Sequence, residues 1–393
     1  MQVTTIGLDL AKSVFQVHGV DASGKVVVAK ALRRGQVLTF FSKLPPCLVG
    51  MEACSTAHHW AREVTKLGHE VRLMPPAYVK PYVRRGKNDA ADAAAICEAV
   101  TRPSMRFVLV KSIEQQATLM AHRSRDLLIR QRTQLINALR GHLAELGLIA
   151  AQGREGIATL IARVTTDRAD ALPPAVRAGL LPLVGQLESL QQQIGALEKV
   201  IHTQHRASEA SRRLETIPGI GVIGATAIAA TITDPSAFRT GRDLAAWIGL
   251  VPRQNSSGGK ERLGGISKQG DRYLRKLLVV GASAVLRHAR CHPDKHPWLI
   301  QLLARRPAKV AVVALANKMA RIAWAVLARG ETYRAPVFAV SEAKGSAKGA
   351  RGTGSGQHRC QPCCKGDDGV DASGSSRRQE NPWGRMRACT APL

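Results

Sequence analysis

Short apolar runs separated by turn residues fill the first hundred positions, and long stretches of helical period fill most of the rest. Thr4 to Leu10 and Ser13 to Val20 read as β-runs, and the turn Asp21-Ala-Ser-Gly24 leads into a third over Lys25 to Ala29. Cys47 to Met51 is a short buried strand, a helical stretch covers Thr56 to Leu67, and Glu70 to Met74 is a fifth strand closed by Pro75-Pro76. Three meandering strands followed by strand–helix–strand is the order of an RNase H-like α/β domain, one of several α/β folds that the pattern allows. An alanine-rich helix runs from Asp89 to Val100.

From Ser112 to Leu146 the spacing predicts one long helix with Leu119, Leu127, Leu128, Leu135, Leu139 and Leu143 along an apolar face. Its other face carries Arg123, Arg125, Arg130, Arg132 and Arg140, either a solvated surface or one made for phosphate and RNA. Pro182 to Arg213 continues as a helix whose Leu183, Leu187, Leu190, Ile194, Leu197 and Ile201 fall in near-heptad register. That register suits a coiled-coil arm, a dimer contact or packing within the chain. The expected division is an α/β domain over 1–105, a helical linker over 106–213, a mostly helical region over 214–335 and a disordered tail over 336–393. The tail is dominated by Gly, Ser, Ala, Lys and Arg and has no apolar periodicity. Its Cys360, Cys363 and Cys364, with His358 and Cys389, are a weak zinc signature, because one C-x-x-C has no second pair at ligand spacing.

Charge narrows the partners. The chain has 393 residues, 57 Lys and Arg against 29 Asp and Glu, and a net charge of +28. Such an excess repels itself and is screened only over about 8 Å at physiological salt, so a polyanion, nucleic acid foremost, is the expected partner. Aromatics at 4% argue against modules that grip single strands by base stacking. The apolar stretch Val310 to Leu327 is interrupted by Lys318 and Arg321 and reads as too short and too charged to cross a membrane. The N-terminus lacks the layout of a secretion signal, and the cysteines lack framework spacing, which together predict a reduced, cytoplasmic protein.

Four carboxylates stand where carboxylates are costly or poised. Asp9 lies inside the first strand run, Glu52 follows the fourth, and Asp89 and Asp92 share one face of a helix start. In an RNase H-like domain these converge, and close pairs repel by roughly 4 kcal/mol each at an effective dielectric of 20. Divalent cations remove that repulsion, and oxygen-only ligation suits Mg²⁺. A pair of such ions stabilises the entering and leaving oxygens of a phosphodiester. The alternative is structural: a capped strand acid and two acids favoured by a helix dipole.

Gly219-Ile-Gly221-Val-Ile-Gly224 matches G-x-G-x-x-G but follows a helix and Pro218, which excludes a dinucleotide loop. It reads instead as a helix-hairpin-helix in which Gly219 and Gly221 let backbone N–H groups approach a phosphate, or as a packing corner. Ser256 and Ser257 sit in a glycine-rich loop flanked by Arg253, Lys260, Arg262, Lys268, Arg272 and Arg275. A hydroxyl there has cations at hand to stabilise attack on phosphorus, although serine in such a loop also serves simply as a turn residue. Neither a P-loop nor an esterase elbow is present.

Together IGLDLAK, GMEACSTAHHWARE, RRGKNDAADAAA, IPGIG and GLVPRQNSSGGKERLGGISKQGDRYLRKLL resemble the DEDD-type insertion-sequence transposases of the "one-ten" family over residues 3 to 335. The resemblance implies an RuvC-like, RNase H-fold first domain, a helical linker and a C-terminal serine transposase domain. Asp9, Glu52, Asp89 and Asp92 would be Mg²⁺ ligands, and Ser257, or Ser256 beside it, the nucleophile joined covalently to DNA. It further implies recombination of element ends with a target, guidance by an element-encoded RNA, and homodimers and a homotetramer. A junction endonuclease using the carboxylates alone, and a basic binding protein without catalysis, remain the alternative readings.

Overall fold

Four consecutive residues of β1 (Thr5–Asp9) are buried, as expected of a strand covered on both faces, whereas β2 (Val14–Val20) is buried at alternate positions. In this computed structural model, which describes residues 2–83, 88–166 and 172–334, the chain continues through β3 (Val26–Arg33), α1 (Val37–Phe41), β4 (Leu48–Glu52), α2 (Ala57–Lys66), β5 (Glu70–Met74), α3 (Pro76–Val79) and α4 (Asp89–Val100). The strands form one sheet in the order β3-β2-β1-β4-β5. The first three are antiparallel neighbours, whereas β4 runs parallel to β1 and β5 parallel to β4. This is the mixed α/β arrangement expected of an RNase H-like domain.

Two layers cover the sheet. Ile6, Leu8, Val49 and Met51 pack with Trp60 and Val64 of α2 on one side. The intervening residues point the other way, onto α4. There the glycines decide how close the helix comes. A Cβ on Gly7 would lie 2.1 Å from the Ala93 carbonyl oxygen and 2.4 Å from the Cys97 nitrogen, and one on Gly50 would lie 2.8 Å from Val100 Cβ. The α4 backbone therefore rests directly on β1 and β4, and Asp9 and Glu52, two residues beyond those glycines, share its face. We expect Gly7→Ala to destabilise the protein by about 3 kcal/mol or to prevent folding. Gly35→Ala, with open space around it, should stay near wild type in the same urea titration.

Next come α5 (Ile113–Ala144), α6 (Arg154–Thr165) and α7 (Pro174–Ala207). Ser112 and Gln115 close a reciprocal cap on α5, with N–H···O distances of 3.2 and 2.8 Å. α7 starts before the proline at which the sequence placed it: Pro182 lies inside the helix, and Leu180 and Val184 on either side are buried in the core shared with Leu139 and Leu143 of α5. Burial on both sides outweighs the one hydrogen bond that the proline forgoes. The helix also ends earlier than the reading to Arg213, at Ser208, which caps α8 (Glu209–Glu215) by accepting from the Ser211 N–H. The α7 stripe packs within the chain, antiparallel to α5: Arg125 pairs with Glu198 at 2.6 Å and Arg132 reaches Gln191 at 3.5 Å.

The remaining elements are α9 (Val222–Thr231), α10 (Gly241–Trp247), the hairpin β6 (Pro252–Gln254) and β7 (Leu263–Ile266), α11 (Arg272–Cys291), α12 (Pro297–Arg305) and α13 (Ala308–Arg329). Their core gathers Leu214, Ile228, Leu244, Leu278, Met319 and Ala323 among others. α13, read from the sequence as too short and too charged, is by length and composition apolar enough to cross a membrane, with a mean hydropathy of 1.6. Here its Ala316, Met319, Ala320 and Ala323 face are buried in that core. The tail and its Cys360, Cys363, Cys364, His358 and Cys389 lie outside the described residues.

Candidate functional site

Parallel pairing of β1 with β4 aligns Leu8 with Met51, so Asp9 and Glu52 end adjacent strands side by side. The C-terminal edge of such a sheet, where the strand order reverses between β1 and β4, is where ligands of open α/β folds bind. Asn88 caps α4 by accepting from the Ala90 N–H at 3.0 Å, and this start places Asp89 and Asp92 in the helix's first turn. One carboxylate oxygen each from Asp9, Asp89 and Asp92 lies within 4.8 Å of the others. Hard oxygen donors gathered so closely fit a divalent cation that takes several carboxylates at 2.0–2.6 Å.

Glu52 stands just outside that tight group yet feels it. Burial pushes the Asp9 carboxyl above its ordinary 3.8, and the charges of Asp92 and Asp89 push it further. Glu52 is raised above 4.5, first by burial and then by Asp9 and Asp92. Without a cation, the stability linked to these two groups is full below their ordinary values and is lost as pH rises through the raised ones. A divalent ion reverses the loss, because it binds the ionised forms. The increment that a divalent cation adds to the thermal midpoint should therefore vanish below about pH 4 and grow above it. Asp9→Asn should flatten that dependence in the same melting series.

The serine loop is a β-hairpin rather than a loop. Pro252 pairs with Ile266 and Gln254 with Leu263, and the Lys260 N–H donates to the Ser257 carbonyl at 3.1 Å. Gly258 and Gly259 between them have φ of 56° and 75°, the positive values that a two-residue hairpin turn requires. The Gly-Gly pair was the signal for this turn. Ser256 is tied into the hairpin: its Oγ accepts from the Arg262 N–H at 3.1 Å and from Gln254 Nε2 at 3.4 Å. The Ser257 hydroxyl is exposed and makes no hydrogen bond among the described residues. Arg253, Lys260, Arg262, Lys268 and Arg272 are exposed around it. Arg275 is spent otherwise, its Nη1 donating to the carbonyls of Ile248 at 2.6 Å and Gln269 at 2.7 Å.

Gly219 and Gly221 part company. With φ of 88°, Gly219 presses on α11, where a Cβ would lie 2.9 Å from the Gly281 carbonyl oxygen, whereas Gly221 precedes α9 in open space. The arginine face of α5 is largely committed. Besides Arg125 and Arg132, Arg130 lies 3.4 Å from Asp126, and Arg140 holds the Ala150 and Ala151 carbonyls at 3.0 and 2.7 Å.

Two polar groups went unread in the sequence. His122, buried on α5, joins α9 and α11 through Thr226 at 3.0 Å and Tyr273 at 3.1 Å. Thr226 donates its own hydroxyl to the Val222 carbonyl, so His122 Nε2 donates to Thr226 and Nδ1 accepts from Tyr273. Burial, with the Arg125 charge beside it, keeps the imidazole neutral by lowering its pKa to about 4. A histidine inside an apolar helical stripe was the available clue. The second group joins His58, Arg62 and Lys111: the Lys111 N–H donates to His58 Nδ1 at 3.3 Å, and Arg62 donates to the Lys111 carbonyl at 2.6 Å. His58 and Arg62 both lie within the GMEACSTAHHWARE segment already singled out.

A strand-edge carboxylate cluster at a helix start, in a chain that also carries a cationic hairpin, fits one class: enzymes that cut and join nucleic-acid strands. The chain matches a family model for DEDD transposases of the IS110 kind over residues 6–147 and one for the transposase IS116/IS110/IS902 family over 211–297. It is 53% identical over 336 residues to a probable family 20 transposase of Pseudomonas aeruginosa, covering 85% of this chain and 99% of that one. It is 43% identical over 333 residues to the transposase for insertion sequence element IS1111A of Coxiella burnetii, covering 84% and 92%. It is also 40% identical over 332 residues to the transposase for IS1328 of Yersinia enterocolitica, covering 84% and 98%. The chain belongs to the IS110 family of DEDD transposases, insertion-sequence enzymes that act on DNA.

Proposed function

We propose that the protein cleaves and exchanges DNA strands at the ends of its insertion sequence through two chemical centres. The first is Asp9, Glu52, Asp89 and Asp92, holding Mg²⁺. The second is Ser257. The observation that carries the reading is the convergence of Asp9, Asp89 and Asp92 within 4.8 Å at the end of β1. Bound Mg²⁺ supplies Lewis-acid stabilisation of the phosphate oxygens. Ser257 Oγ forms a bond to phosphorus as the bond to a deoxyribose oxygen breaks; the serine proton is lost and the departing oxygen is protonated. Attack by a hydroxyl of another strand then releases the serine and joins new DNA. Ser256 serves the hairpin instead, through its bonds to Arg262 and Gln254.

The exposed Arg253, Lys260, Arg262, Lys268 and Arg272 hold backbone phosphates of DNA, with Gly221 at the head of α9 as the helix-hairpin-helix contact. Arg275 and Gly219 act behind them by shaping the corner. An element-encoded RNA is the second nucleic-acid partner, and a homodimer or homotetramer of cytoplasmic protein is the working form. The α5–α7 pair is the helical linker, over 106–213, between a catalytic domain at 1–105 and a serine domain at 214–335.

The test combines purified protein, Mg²⁺, RNA transcribed from the element and end-labelled element-end DNA on a denaturing gel. A labelled protein–DNA adduct is expected. Free cleaved ends with no adduct would leave a junction endonuclease working through the carboxylates alone.

A further inference from the structure

Three histidines outside both centres meet at the corner between α11 and α12. His288 and His292 are one helical turn apart at the end of α11, and the 3-10 turn Pro293–Lys295 brings the chain back to His296 at the head of α12. His288 Nδ1 lies 3.3 Å from His296 Nε2. The His288 and His292 rings are stacked with centroids 4.4 Å apart, and the His296 ring meets His288 edge-on at 5.5 Å.

A nitrogen pair at that spacing matches two ligands of one tetrahedral ion, since two bonds of ~2.0–2.1 Å at the tetrahedral angle span roughly 3.3–3.4 Å. His292 follows the last residue of α11, and its backbone N–H still donates to the His288 carbonyl at 3.0 Å, so the two side chains leave neighbouring points of one helix end. The His292 Nδ1 lies 3.4 Å from the His288 carbonyl oxygen. The His292 ring lies flat on His288, so ligation turns it about its side-chain torsions and gives up both that contact and the stack; being exposed, the ring can turn without displacing the core. Beneath the cluster, Leu286, Ala289, Leu299 and Ala311 give the corner a dry floor. Nitrogen donors select zinc-class ions over Mg²⁺, which prefers oxygen, so this centre and the carboxylates would not compete for the same metal.

We propose that His288, His292 and His296 bind one zinc-class ion, with water in the fourth position, and that the ion staples α11 to α12. The ion stabilises the folded chain because it binds there and not to the unfolded one.

The full-length protein is titrated with zinc against a chromophoric chelator, with excess Mg²⁺ present to occupy the carboxylates. Wild type is expected to take up one more tight zinc equivalent than the H288N/H296N variant, in which polar side chains replace the imidazoles. Zinc should raise the thermal midpoint of wild type but not of the variant. Single His292→Ala should lower zinc affinity by about tenfold or more. The tail cysteines are present in every protein compared and cancel in the difference. Cobalt should add, for wild type over the variant, visible ligand-field bands without a sulfur charge-transfer band. Equal zinc uptake and equal thermal shifts in wild type and H288N/H296N would overturn the site and leave only a hydrogen-bonded histidine pair. So would a cobalt difference carried by sulfur.

Discussion

Asp9→Ala is expected to abolish strand cleavage, by on the order of 10³-fold or more, while DNA affinity stays within about twofold. Asp9 is the carboxylate through which the others are coupled: its oxygen lies within 4.8 Å of both helix acids, and its charge acts on Glu52 across the strand pair. Removing it leaves Asp89 and Asp92 on one helix turn and Glu52 outside the tight group, without the strand-end oxygen that completes that group. In the proposed function DNA binding rests on the cationic hairpin, which the substitution does not touch. Loss of cleavage with unchanged binding, measured by end-labelled cutting and filter retention on one preparation, is the expected pair. The same variant should melt higher than wild type in chelator, because a repelling buried charge is gone. A variant that cuts normally would remove the carboxylates from the mechanism.

Ser257→Ala is expected to eliminate the covalent protein–DNA adduct and to lower strand exchange by about 10³-fold or more. The hydroxyl is exposed at the hairpin tip with no hydrogen bond among the described residues, and its backbone alone takes part in the turn. Deleting one oxygen there leaves the hairpin pairing intact, so DNA affinity and melting should not move. Ser256→Ala should behave in the opposite way. It removes an acceptor for the Arg262 N–H and loosens the hairpin, giving a partial loss of exchange with the adduct still formed. An adduct that survives in Ser257→Ala and disappears in Ser256→Ala would exchange the two roles.

Much of the first hundred residues was legible because each strand is a short run with its own turn signal. The five strand readings lie within a few residues of β1 to β5, and the alanine-rich helix coincides with α4 at Asp89–Val100. Acid positions could be read as a set for the same reason, each lying in or beside a recognisable element, although Asp9, read inside the first run, is the last residue of β1. The long helices were read less well, since their ends depend on partners. Pro182 looked like a start because its rule is local, whereas Leu180 and Val184 are fixed by α5 from across the fold. Leu127 looked like core by its spacing and is 47% exposed, because two residues on from Arg125 it points away from α7, with which Arg125 pairs. The arginine face of α5 looked free for the same reason, its acceptors Glu198 and Ala150 lying on other segments. The hairpin at Ser257 was marked by Gly-Gly but masked by strands too short and polar to show alternation.

The 32-residue α5 also works as a geared shaft. Within one stretch of it, His122 engages α9 and α11, Arg125 engages α7, and Asp126 takes Lys276 at 2.6 Å. Every residue along a helix advances the azimuth by about 100° and the axis by ~1.5 Å. A single insertion between Ile113 and His122 would leave nearly the same length but turn the sheet-bearing part of the chain by more than a quarter revolution against the hairpin-bearing part. Divergence among relatives in this segment should therefore proceed by exchange of side chains or by whole pairs of turns. The two proposed centres are thereby kept in step by phase, which a count of residues preserves and a similarity of composition does not.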